Sequence, residues 1–176
     1  MKILKYTAIF ILGLIALILA IALMLPNEYG VSRSILINAP SDKIYPHIAD
    51  PKAWKNWSVW NQRDPNMNMN YSGTAQGAGA IWTWQSKSEG NGNMKFTHAQ
   101  QNQQIDYELS FEGMGKPSTG SLILSTENGA TKITWTMKGS SEGNLMMKLF
   151  APFMDNMIGP DFEGGLQNLK KLVEQS

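Results

Sequence analysis

The sequence predicts an α+β domain in which an antiparallel sheet of about seven strands is covered on one face by a long C-terminal helix, behind an N-terminal membrane-spanning helix. Three observations predict it. An uncharged run extends from Tyr6 to Pro26, turn residues cut the middle of the chain into segments of period-two alternation, and the last thirty or so residues carry apolar side chains at spacings of three and four.

The first run reads YTAIFILGLIALILAIALMLP, long enough for a hydrocarbon core that needs about 20 apolar helical residues. A cleaved signal has a shorter apolar region, about 7–15 residues, that ends in a small-x-small site. Here Ala20 and Ala22 lie inside the run and bulky Met24-Leu25-Pro26 follows. The expectation is therefore an uncleaved anchor over residues 1–27, helical over about 6–26, with a folded domain over 28–176. Lys2 and Lys5 precede the span, which orients the N-terminus to the cytoplasm and the domain to the periplasm or the cell exterior. The chain has no cysteine, so neither a lipoprotein anchor nor a disulfide can form. Its formal charge of +1 argues against nucleic acid as a partner, because phosphate binding needs clustered Lys and Arg.

The domain opens with YGVSRSILIN, Tyr29 to Asn38, an alternating strand that Ala39-Pro40 stops. Ser41 is a good N-cap for a short helix carrying Ile44, Tyr45 and Ile48, and Asp50 with Pro51 starts a second one. Strands follow at Met67–Ser72, Ala80–Ser86, Asn93–Ala99, Gln104–Glu112, Gly120–Thr126 and Thr131–Gly139, the last two joined by a Glu127-Asn128-Gly129 turn. In QIDYELSFE, Ile105, Tyr107, Leu109 and Phe111 share one face and Asp106, Glu108 and Ser110 the other; Ile133, Trp135 and Met137 repeat the pattern. One face of the sheet is thus wet and the other covered. The cover is the segment from Leu145 to Gln175, where Met154, Met157, Ile158, Phe162, Leu166, Leu169 and Val173 form an apolar stripe that Gly159-Pro160 should bend or restart.

The stretches RSILINAPSDKIYPHIADPKAWKNWSVW, DPNMNMNYSGTAQGAGAIWTW and MIGPDFEGGLQNLKKLVE, in this order, resemble the SRPBCC superfamily, with its START-like or helix-grip fold, and within it the polyketide cyclase/dehydrase and lipid transport branch. The resemblance spans about residues 30–174. It implies a curved sheet gripping the C-terminal helix, the first strand paired with the last, and a cavity between sheet and helix for lipids, sterols or polyketides. It implies no single activity, since the branch holds carriers, accessory proteins and cyclases, and function has to be argued from the site.

Catalytic pairs are scarce. His47 ends the first short helix, where a partly exposed structural role suffices. Strand parity groups His98 with Met94 and Phe96 on the covered face, where it could serve as acid or base with Tyr107 as hydrogen-bond donor. By the same parity Asp106 and Glu108 fall on the wet face, so no carboxylate is assigned to His98. No cofactor or metal is expected, because no His or carboxylate cluster has ligand spacing, and the glycines of SGTAQGAGA lack the Lys-Ser/Thr of a phosphate loop. Apolar lining is abundant: Trp60, Trp82, Trp84, Phe96, Tyr107, Phe111, Trp135, Met154 and Ile158, with His98, are the expected cavity residues. Trp54 and Trp57 are expected to act as a structural wedge between the short helices and the long one. Periodicity does not separate a cavity from a solid core. The favoured reading is a tethered module binding a hydrophobic small molecule or lipid. The alternatives are an enzyme acting through His98 in the same cavity and a protein-interaction module with no identified partner.

Overall fold

The computed structural model describes residues 2–175. Helix α1 (Lys2–Met24) is long and apolar enough to cross a membrane, and nearly all its side chains are exposed, Ala22 being the buried exception. Seven strands follow: β1 (Glu28–Ile37), β2 (Asn68–Gly73), β3 (Ala80–Gln85), β4 (Gly92–Gln100), β5 (Gln104–Phe111), β6 (Ser118–Glu127) and β7 (Ala130–Ser140). They form one open antiparallel sheet in the order β1-β7-β6-β5-β4-β3-β2. First and last strands pair, with Val31 opposite Met137 and Ile35 opposite Ile133. Asn128 and Gly129 close the β6–β7 hairpin with φ of 51° and 84°, the positive pair that a two-residue turn matched to strand twist requires.

Between β1 and β2 lie three short helical segments, one more than the sequence suggests: α2 (Ser41–Ala49), a 3-10 turn at Ala53–Asn56 and α3 (Val59–Arg63). The last carbonyls of α2 have no partner within the helix. Two indoles supply one: Trp54 Nε1 donates to the Ile48 carbonyl and Trp57 Nε1 to the His47 carbonyl, each at 3.0 Å. Both tryptophans are buried, their ring centroids 4.6 Å apart.

The covering segment comprises α4 (Leu145–Phe150), a 3-10 turn at Ala151–Phe153 and α5 (Met154–Glu174). The expected interruption at Gly159-Pro160 does not occur there; the break falls at Ala151-Pro152 and α5 runs through Pro160. Arg33 of β1 provides the reason. Its Nη1 donates to Asp155 Oδ1 at 2.7 Å and its Nε to Glu163 Oε1 at 2.6 Å, so one guanidinium grips the helix on both sides of the proline. A Cβ at Gly159 would lie 2.0 Å from Arg33 Nη2, and the missing side chain is what lets the guanidinium rest on the helix backbone. Phe162, Leu166, Leu169 and Val173 enter the core, whereas Met157 faces solvent, contrary to its place in the expected stripe.

A second departure decides the site. Strand β4 carries a bulge between Phe96 and His98: Phe96 stands opposite Tyr107 and His98 opposite Asp106, leaving Thr97 as the extra residue. The inserted residue reverses the side-chain parity beyond it. His98 therefore lies exposed on the wet face with Asp106, outside the covered interior where the alternation places it.

Candidate functional site

The space between sheet and α5 is filled. Trp135 lies flat on Phe162, centroids 3.9 Å apart, and the Trp57 and Trp54 rings meet Trp135 at 5.3 and 5.6 Å. Gly165 lets α5 come this near, since a Cβ there would lie 3.2 Å from the Trp135 ring. Tyr107 completes the block: its hydroxyl donates to the Thr136 carbonyl at 2.9 Å and accepts from Trp135 Nε1 at 2.9 Å. Burial pushes its phenol above the usual range, only partly offset by the Trp135 hydrogen bond. Of the expected cavity residues, Phe96, Tyr107 and Trp135 are thus solid core, and Met154 and Ile158 are half-buried on α5.

A cavity of about 70 Å³ remains, displaced from the helix. Its wall comes from the 3-10 turn, α3 and the residue before it (Trp54, Ser58, Trp60, Asn61), from β2 and the residue before it (Met67, Met69), from β3 to β5 (Trp82, Trp84, Met94, Leu109, Phe111), and from Glu89 between β3 and β4. No α5 residue reaches it. The volume holds a few water molecules or one small ring, well short of the roughly 300–1,000 Å³ of a drug-sized site. Four expected residues line it, Trp60, Trp82, Trp84 and Phe111, together with the wedge residue Trp54. His98 does not, nor do Phe96, Tyr107, Trp135, Met154 and Ile158.

Ser58 is the unusual member. It sits at the N-cap of α3, where a serine hydroxyl ordinarily accepts from a backbone N–H of the first turn, yet its side chain makes no capping bond. The residue is 1% exposed and its Oγ has no protein partner. A buried hydroxyl in that condition costs about 1–3 kcal/mol. Apart from Asn61 and Glu89, the rest of the wall is apolar and soft. Asn61 Nδ2 approaches the Met67 and Met69 sulfurs at 3.9 and 4.0 Å, and thioethers adapt to varied shapes.

The rim is held by charge. Trp60 Nε1 donates to Asp161 Oδ2 at 2.8 Å, and Arg63 bridges Asp161 at 2.7 Å and Glu89 at 2.8 Å. These bonds tie the five-residue α3 to α5 and to the β3–β4 turn.

Sequence reasoning missed Ser58, Asn61, Met67, Met69, Glu89, Met94 and Leu109 as lining. Met67 and Met69 had a signal, sharing a strand face two residues apart; Ser58 had none, because a serine before a short helix reads as a cap. Among the described residues, no three His, Cys, Asp or Glu side chains are grouped to hold a metal.

The arrangement as a whole matches a known family. The description "Polyketide cyclase / dehydrase and lipid transport" fits residues 29–174, most of the chain, and the protein belongs to that family. Among solved structures, Ara h 8.0201 is similar at 12% identity and TM-score 0.62, covering 85% of this chain and 99% of its own. Protein CV1439 from Chromobacterium violaceum is similar at 15% identity and TM-score 0.60, covering 85% and 98%. DynU16, encoded in the dynemicin biosynthetic locus, is similar at 16% identity and TM-score 0.56, covering 82% of this chain and 47% of its own. These likenesses concern the fold alone. No curated protein sequence matches the chain.

Proposed function

We propose that the chain is a membrane-tethered, exported domain that holds a small hydrophobic molecule, or the apolar end of a lipid, without chemically transforming it. The single observation carrying the reading is Ser58, a residue on the wall of a mainly apolar cavity whose buried hydroxyl has no partner in the protein. A ligand with one hydroxyl or carbonyl at its buried end satisfies Ser58, and the tryptophan and methionine walls take the remainder. Family membership is consistent with such cargo. The apolar α1 supports the tether, and the lysines that precede its apolar run support the exported side.

An acid–base role for His98 has no geometric support, because the side chain faces away from the cavity and the Tyr107 hydroxyl is committed to Thr136.

Mass spectrometry of the full chain released from detergent micelles tests the reading. The wild type should carry a bound small molecule with one polar terminus, and Met94→Trp, which fills the cavity, should lose it while remaining folded. Two empty proteins, or equal loading of both, would sink it.

A further inference from the structure

One apolar surface is unexplained by ligand binding. Met146, Phe150, Phe153 and Met157 recur at steps of four, three and four through α4, the 3-10 turn and the start of α5, so they share one side. That side faces solvent: the four are 63, 45, 57 and 58% exposed. Ala151 and Phe162 on the opposite side are buried. A contiguous patch of large apolar side chains is uncommon on a free soluble surface.

The end of α1 stands beside it. Helix α1 packs on α4, where Ala22 is buried. Past the helix, the Asn27 carbonyl accepts from Ser141 N at 2.7 Å and from Ser141 Oγ at 3.0 Å. Met24 and Asn27 are three positions apart, a reach of at most about 10 Å, comparable to the headgroup layer on one side of a bilayer. Between residues 145 and 157 the charged side chains are Lys148 and Asp155, and Asp155 is held by Arg33 at 2.7 Å. The patch therefore offers anionic lipid no free carboxylate.

The strand register adds direction. Trp84 pairs with Gly92, Met94 with Leu109, Leu109 with Ser118, and Thr119 with Lys138. The cavity thus lies at the end of the sheet where β1 begins and β7 finishes, the end that carries α1 and α4.

We propose that the Met146–Met157 face is a lipid-docking surface, lying in the interfacial layer of the same membrane that α1 enters and turning the cavity end of the sheet towards the bilayer. The proposal rests on the tethered reading above. A domain hung on a short linker would tumble, whereas a docked one presents its cavity to the lipid continuously.

Because the chain has no cysteine, single nitroxide labels can be introduced cleanly. The full chain, as Met146→Cys, Phe153→Cys, Leu14→Cys and Gln101→Cys, is reconstituted in nanodiscs of phosphatidylcholine and phosphatidylglycerol. Gln101 marks the far end of the sheet. Labels at 146 and 153 should lose collisions with a water-soluble nickel chelate several-fold relative to 101, and gain collisions with oxygen, as label 14 does. Labels at 146 and 153 as open to nickel as 101, with label 14 lipid-buried, overturn docking and leave the tether standing. Label 14 open to nickel removes the tether and docking together. Shielding from both nickel and oxygen signals protein cover, by a partner or a second copy, and also overturns the lipid assignment.

Discussion

The Trp135 indole on β7 and the Phe162 ring on α5 stack 3.9 Å apart with planes 8° from parallel. This contact fastens helix to sheet where a ligand cavity was expected, and both residues are 1% exposed or less. Phe162→Ala should lower unfolding free energy by about 3–5 kcal/mol in a denaturant titration. A loss under about 1 kcal/mol would mean that the interior is not close-packed there.

Tyr107 serves the same block and not the cavity. Tyr107→Phe leaves Trp135 Nε1 buried without its acceptor, a loss of about 1–3 kcal/mol of stability, with ligand loading unchanged by mass spectrometry. Lost loading at unchanged stability would restore Tyr107 to the site.

Arg33 and Gly159 act as one device. A Cβ at position 159 would displace the guanidinium, so Gly159→Ala should not bring the usual gain of a glycine-to-alanine change in a helix, about 0.5–1 kcal/mol. Hydrogen exchange should show faster amides around Asp155 to Glu163 in this variant and in Arg33→Met. Protected amides in both would show that α5 tolerates Pro160 unaided.

Removing the Ser58 hydroxyl should stabilise the protein while weakening binding. Ser58→Ala deletes a buried group with no protein partner, so the ligand-free thermal midpoint should rise by up to about 1 kcal/mol in equivalent free energy. Affinity for a hydroxylated ligand should fall about ten-fold. A clear loss of stability would show that the hydroxyl is already satisfied.

His47 gives the pH dependence a sign. Burial lowers its proton affinity in the folded state, so the unfolded chain takes up the proton first as pH falls through about 6.5. Stability should decline from there until the lower folded value is passed, and then this contribution stops changing. Denaturation midpoints between about pH 7 and pH 5 should show the decline, and His47→Gln should flatten it.

Alternation made the strands legible because a half-buried sheet imposes period two on its side chains. All seven appear near their expected bounds, and Asn128-Gly129 makes the turn its residue types demand. Single-residue irregularities escaped the pattern. Parity carries His98 inward, but the β4 bulge resets parity by one residue, and nothing local in KFTHAQ announces it. Pro160 reads as a helix breaker, yet the clamp that retains it comes from Arg33, more than a hundred positions earlier.

The three tryptophans at 54, 57 and 60 divide along the same line. Their abundance is plain in the sequence, and their separate duties are not. Trp57 is wholly buried on α2's end, Trp54 is shared between that wedge and the cavity wall, and Trp60 rides the rim bonded to Asp161. The sequence by itself determined the apolar span, the order of strands and helices, and which face of the sheet is covered, because each follows from side-chain chemistry repeated along a short stretch. Tertiary structure alone decided that aromatic rings fill the space under α5, that the remaining cavity sits beside α3, and that Ser58 on its wall keeps a buried hydroxyl unpaired. Those outcomes depend on how volumes from distant segments interlock, and no local period records how completely two apolar faces fill the gap between them.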